Sequence, residues 1–328
     1  MVMRLHWIAR LLVIAALLVC VGIVGVIGWR IAAQHRVAVA ARIDTPPGID
    51  EGRFLRIDGL DQWVTVRGQD MRNPILLVLD GGPGYATSHL IPGRVENRFT
   101  VVKWDQPGAG RTFGRAGRRI PEPLTEDDFA AYGIQVAEHA CRRLGHRKVA
   151  LLATSWGTGV GIRMVRTRPD LFYAYVGSGQ VVDAAAGEVL NYRRVLAKAT
   201  ARGDSATLAR LQRLGPPPYA TQAQLRVLRQ AAMAYEDGAP GAAEIFGGLL
   251  SAPRYSLADV RNWWDGFQTA TDRFYAMRMS RNLPALGLTF QVPVFVFQGQ
   301  EDDFTPHSLA RGYFDALTAP KKRFVSVP

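Results

Sequence analysis

The stretch that most restricts the fold runs from Val149 to Gly159, Val-Ala-Leu-Leu-Ala-Thr-Ser-Trp-Gly-Thr-Gly. Its first five residues are apolar and give way at once to small ones. That is too short for a helix and reads as a strand buried in a parallel sheet. Ser155 follows, between Thr154 and Trp156, and Val160 to Arg168 is helix-like. Strand, tight turn bearing a serine, then helix is the layout of a nucleophile elbow, usually spelled G-x-S-x-G. The turn is strained, so small residues are needed where the strand and helix backbones approach. Here Ala153 holds the first glycine position and Gly157 the second. The plain alternative is a serine that caps a helix and does no chemistry.

The rest of the chain places strands around this one. Phe54 to Ile57 and Trp63 to Arg67 read as a hairpin start, with Gly59 between them. Ile75 to Leu79 is a buried strand that ends in Asp80-Gly81-Gly82-Pro83-Gly84, a turn whose N–H groups can converge on an anion or a developing oxyanion. Phe99 to Trp104 is the next strand, followed by Asp105-Gln106-Pro107-Gly108-Ala109-Gly110. Thr125, with Asp128 three residues on, opens a helix to about Leu144. Tyr173 to Val176, Val292 to Phe297 and Arg323 to Val327 supply further strands. Alternating strands and helices predict an α/β fold with a mostly parallel, doubly wound sheet. From about Val182 to Leu286 strands disappear and helical periodicity takes over, broken at Pro216-Pro217-Pro218 and Pro240-Gly241. This is a helical insertion over the carboxyl edge of the sheet, where open α/β sheets bind ligands.

Before all this, Leu11 to Trp29 is nineteen residues without a charge. That length spans a hydrocarbon core, and it exceeds the apolar core of a cleaved signal peptide. The expected organisation is an N-terminal transmembrane signal anchor over 1–33, a tether over 34–52, a first core part over 53–181, a helical cap over 182–286 and a second core part over 287–328. Ala38-Val39-Ala40 offers an alternative cleavage site. Basic residues flank the apolar run on both sides, so the positive-inside rule does not orient it, and the short leading tail makes an extracytoplasmic body the default. The net charge of +12 comes from scattered arginines, with no basic stripe interleaved with aromatics, so no nucleic-acid partner is expected. Two cysteines, Cys20 in the apolar run and Cys141 in a helix, predict no internal disulfide. Metal-ligand spacings are absent, and Gly81 to Gly84 fits neither dinucleotide nor P-loop spacing, so no cofactor is expected.

With these motifs in this order, the sequence resembles the α/β-hydrolase superfamily, and within it the proline iminopeptidase (prolyl aminopeptidase) group. The carrying residues are Gly81-Gly82-Pro83-Gly84, Trp104-Asp105-Gln106-Pro107-Gly108-Ala109-Gly110, Ser155-Trp156-Gly157, and Gly299 to Asp302 with Thr305-Pro306, a likeness over about residues 54 to 328. The resemblance implies Ser155 as nucleophile, Asp302 as the acid that orients a histidine, and the N–H groups of Gly82 and Trp156 as the oxyanion hole. Asp303 is the rival acid, and the family's G-x-x-D spacing selects Asp302. The chain departs from the pattern in carrying Asp80 for the usual histidine, Pro107 for the usual arginine and Ala153 for the first elbow glycine.

A larger departure concerns the base. In this fold the histidine sits in the loop after the last strand, and His6, His35, His89, His139, His146 and His307 all lie elsewhere. The expectation is a chain cut short just before its histidine. The alternative is a true endpoint, giving a pseudo-hydrolase that binds without turnover. In prolyl aminopeptidases, carboxylates of the insert hold the substrate's free amine, and the insert here offers Glu236, Asp237, Glu244, Asp259, Asp265 and Asp272. Asp265 beside Trp264 is the expected substrate contact, since an aromatic next to an acid suits a proline ring and its charged nitrogen; the bland reading is a solvated acid beside core tryptophans. The function expected is a membrane-anchored serine hydrolase acting on a small peptide or amide. An esterase using the same triad is the alternative.

Overall fold

The computed structural model describes the backbone of residues 2–117, 119–121, 123–235 and 241–328, and the side chains from Arg10 onward. Eight strands form one sheet. They are β1 (Ile49–Ile57), β2 (Leu60–Gly68), β3 (Ile75–Leu79), β4 (Thr100–Trp104), β5 (Val149–Thr154), β6 (Phe172–Ser178), β7 (Val294–Gly299) and β8 (Lys322–Val327), arranged in the order β1-β2-β4-β3-β5-β6-β7-β8. The β1–β2 and β2–β4 pairs are antiparallel and all the others parallel. The two central strands explain themselves. β3 is Ile-Leu-Leu-Val-Leu with Ile75, Leu77 and Leu79 fully buried, and β5 pairs with it from Val149 opposite Ile75 to Ala153 opposite Leu79. Each such side chain contributes about 1.5–3 kcal/mol by leaving water.

Helices cover both faces, as parallel strands require. α3 (Glu126–Leu144) starts at the expected capping box, in which Thr125 and Asp128 bond each other's backbone N–H, and it stops at left-handed Gly145. α4 (Trp156–Thr167) follows the serine directly. A short helix, α2 (Gly110–Ala116), leaves the loop after β4, a piece the periodicity does not reveal.

Between β6 and β7 lies the insertion: α5 (Ala184–Arg202), α6 (Ser205–Leu214), α7 (Gln222–Met233), α8 (Ala242–Ser251), α9 (Leu257–Arg273) and α10 (Tyr275–Met279). It has two small cores. One gathers Val195, Leu211, Leu225 and Leu228 from α5 to α7; the other gathers Leu249, Tyr255 and Trp263 with Ala86 and Ala109 of the hydrolase core. The chain then returns through β7, α11 (His307–Ala316) and β8.

The first helix corrects the expected tether. α1 (Val2–Ala40) runs through residues 34–40, and β1 already begins at Ile49, so the irregular link is short. The apolar run from Leu11 to Trp29 projects from the body with its side chains exposed. The end of α1 is seated instead. Arg30 Nη2 donates to Tyr255 O at 2.5 Å, Gln34 Nε2 donates to Ala252 O at 2.7 Å and Tyr255 O at 2.9 Å, and Ala33 is buried between them. Those positions share one helix face. By length and composition α1 is the one described helix able to cross a membrane.

Candidate active site

Ser155 sits where β5 becomes α4, with φ 49° and ψ −116°, a conformation a non-glycine residue adopts only under constraint. It occupies the N-cap position, yet its side chain makes no capping bond. Instead its N–H donates to Ser178 O of β6 at 2.9 Å, and Thr158 Oγ1 donates to Ser155 O at 2.5 Å. The hydroxyl is left half-exposed, aimed off the sheet. Gly157 shows why the turn demands a small residue: a Cβ there would stand 2.7 Å from both Leu79 O and Asp80 O. Ala153 is accommodated because Gly161 lies over it, where a Cβ would approach the Ala153 methyl to 3.0 Å.

The Asp80 to Gly84 turn lies beside the serine; a Cβ on Gly81 would be 3.3 Å from Ser155 Cβ. Gly82 has φ 120°, a value that leaves no room for a side chain against the N–H groups of Gly84 and Tyr85. Trp156 is the first residue of α4, so its N–H lacks an intrahelical acceptor by geometry. The loop is held from behind. Asp80 is buried and accepts from Thr87 N at 2.6 Å and Thr87 Oγ1 at 2.7 Å, while burial pushes its carboxyl upward against those bonds and the nearby Lys103 cation. Lys103 Nζ in turn donates to Thr87 O and Leu90 O, with burial drawing its pKa down. Gln106 joins the Asp80 turn to the start of α4, its Nε2 donating to Asp80 O at 3.3 Å and its Oε1 accepting from Trp156 Nε1 at 3.1 Å.

Asp302 lies at the end of β7. Its Oδ1 accepts the N–H groups of Phe304 and Thr305, at 2.8 and 2.7 Å; its Oδ2 accepts from the Thr305 hydroxyl and, at 3.3 Å, from Gln298 Nε2. The carboxylate is thus fixed by its own loop. Only a glycine separates it from the serine: a Cβ on Gly179 would stand 3.8 Å from Asp302 Oδ2 and 4.0 Å from Ser155 N. Ser155 and Asp302 line the same open cavity of about 900 Å³, with Lys198, Arg202 and Tyr235 of the cap, Phe304 of the loop after β7 and Val327 of β8. The rival acid has a different task. Asp303 is fully buried and binds Arg194 Nε and Lys198 Nζ, each at 2.6 Å, fastening α5 to the acid's loop.

Underneath, fully buried Arg281 stacks over the Trp156 ring at 4.6 Å, donates to Trp156 O at 2.9 Å and pairs with Glu126 at 2.7 Å. Arg281 does not stand out in the sequence, and Asp303 does so only as the rival acid; the one available signal for its ion pairs is Arg194 and Lys198 at i, i+4 on the insert.

The structure does not bring Asp265 and Trp264 to Ser155. Asp265 is on the outer side of α9, 3.3 Å from Arg261 one turn away, and Trp264 is 43% exposed and packs on Phe246; neither lines the serine's cavity. Periodicity puts an acid and an aromatic on a helix, and only packing decides which face turns inward: here Trp263, Gly266 and Ala270 do. Glu236 and Asp237 lie outside the described residues. None of the cavity-lining residues is a histidine. His307 Nε2 is 2.9 Å from Ser326 Oγ and its ring packs on Phe324. His89 is buried against Tyr255 and Trp263, where desolvation lowers its pKa to about 4, with Lys103 adding to the effect.

The chain belongs to the α/β hydrolase fold family, whose pattern it matches over residues 74–328. Among curated proteins it is similar to a probable aminopeptidase, YbaC, of Bacillus subtilis (strain 168), at 27% identity over 82% of this chain and 86% of the relative. Among solved structures it resembles proline iminopeptidase of Mycobacterium smegmatis, at 19% identity, TM-score 0.57, covering 85% of this chain and 90% of that one. It also resembles a membrane phospholipase A described as a bacterial virulence factor, at 16% identity and TM-score 0.57, covering 97% of this chain and 90% of that one. Those two likenesses are of fold.

Proposed function

We propose that the protein is a serine hydrolase, anchored to a membrane by α1, that removes an N-terminal residue from a small peptide or cleaves a related amide. The observation that carries the reading is Ser155 itself: a strained serine that caps nothing and shares a cavity with a fixed carboxylate. In this reading Ser155 Oγ attacks the carbonyl carbon and its proton passes to a base held against Asp302 Oδ2, a place that none of the cavity-lining residues fills with a histidine. The oxyanion is met by the N–H groups of Gly82 and Trp156. The amine leaves with the proton that this base took up, and water then hydrolyses the ester on Ser155. The likeness to a probable aminopeptidase supports the amide substrate. An esterase is the second reading; what favours it is the likeness to the membrane phospholipase A, which extends over 97% of this chain.

A fluorophosphonate probe tests the nucleophile, because it reacts only with an activated serine. The expected result is an adduct on the peptide carrying Ser155, abolished by Ser155→Ala and accelerated by added imidazole. No adduct with or without imidazole returns the protein to the class of non-catalytic binding proteins. Turnover of proline naphthylamide without short acyl esters selects the aminopeptidase reading; the converse selects the esterase.

A further inference from the structure

The foot of α1 is surrounded by apolar side chains that the hydrolase core does not cover. Leu257 opens α9 two residues after Tyr255, whose carbonyl receives Arg30 and Gln34, and it is 61% exposed. Trp264 lies seven residues on, so the two share one face about 10 Å apart. Phe246 of α8 meets the Trp264 ring at 5.6 Å. Leu90, 41% exposed, flanks α8 beside Gly248. α8 packs against α1 as well as α9, and it is apolar apart from Glu244 and Ser251. Arginines sit at the same level: Arg30 at the end of the apolar run, and Arg36 exposed further along α1.

We propose that α8 and the opening of α9 form a membrane seat, a face that lies in the headgroup–acyl boundary of the bilayer that α1 crosses. This rests on the reading of α1 as a membrane span. The occupant follows from continuity. Because residues 30–37 of α1 are bonded to the body, the level at which the apolar run ends is also the level of Ala252 to Leu257. A bilayer that takes up Leu11 to Trp29 therefore meets this face. An amphipathic face with Trp, Phe and Leu on one side binds lipid by apolar burial, and tryptophan favours that boundary. Nearby arginines add attraction to anionic headgroups.

The test uses the full chain reconstituted in nanodiscs of phosphatidylcholine and phosphatidylglycerol, with the environment-sensitive fluorophore NBD on single cysteines. Native Cys20 reports α1; Leu257→Cys and Trp264→Cys, each with Cys20→Ser, report the seat; and Arg213→Cys, exposed on α6, is the control. Cys141 is buried and stays unlabelled. Lipids carrying a nitroxide high on the acyl chain should quench the probes at 20, 257 and 264 about twofold or more over the control, with blue-shifted emission. Quenching at 20 with 257 and 264 no different from the control overturns the seat while α1 stands as a span. No quenching at 20 overturns both.

Discussion

The two halves of the cap are tied to the core by different forces. α5 to α7 carry their own apolar core and reach the loop after β7 through charge, with Arg194 and Lys198 closing on buried Asp303 next to Asp302. α8 and α9 share a core with the hydrolase itself. Trp263 Nε1 donates to Ala86 O at 2.8 Å, Gly266 packs on Gly108, and Arg111 is sandwiched by Trp63 and Tyr255 while pairing with Asp259. The first half is an electrostatic latch on the Asp302–Asp303 loop; the second is a packed extension of the loops after β3 and β4. A latch is replaceable by other charges, whereas packing to the backbone is not.

That contrast can be broken from either side. The largest effect expected is on the packed side and depends on pH. Asp105 lies behind α2, accepting Arg111 N at 2.8 Å, and burial raises its pKa from 3.8 to about 7. Since its folded value is above the unfolded one, its contribution is fully present below pH 4 and is lost as pH rises to about 7. Three units correspond to roughly 4 kcal/mol. Denaturant titrations at pH 4 and pH 7 should show this loss in the wild type and a clearly smaller one in Asp105→Asn, where buried Asp80 still titrates upward.

Next comes the latch. Asp303→Ala leaves two cations without their buried acceptor, at a cost of about 3 kcal/mol. Limited proteolysis should then open α5 to α7 first, with α9 protected. If both halves open together, the division is wrong.

Gly266→Ala is the steric counterpart. A Cβ there would meet Gly108 O at 2.8 Å and the Phe113 side chain at 3.0 Å, so overpacking of about 1–3 kcal/mol is expected, read as a lower Tm unaffected by salt.

The smallest effect falls at the foot of α1. Gln34→Ala removes two part-buried bonds to the carbonyls of Ala252 and Tyr255, worth about 1 kcal/mol, and should raise amide exchange at residues 34–40 without changing activity.

Much of the sheet was legible because parallel strands announce themselves as short apolar runs: Ile75 to Leu79 appears as read, and the elbow strand ends one residue further on. The α3 cap was legible because Thr125 and Asp128 act locally. What the sequence hid were choices made by tertiary packing. The direction in which α9 turns Asp265, the pairing of Asp303 with Arg194 and Lys198, and the burial of Arg281 beneath Trp156 all depend on neighbours more than a hundred residues away. The expected tether failed for a related reason. Residues 34 to 40 carry no strong helical signal of their own, yet the contacts of Arg30, Ala33 and Gln34 with the body hold the helix intact.

That continuity makes α1 a lever. Its 39 residues extend about 58 Å, and nothing between the apolar run and the seated end can bend freely. A helix adapts to bilayer thickness by changing its tilt. In the membrane-anchored state proposed above, a joint that stiff passes a change in tilt to the body, so bilayer thickness would set the angle at which the mouth of the Ser155 cavity faces the lipid.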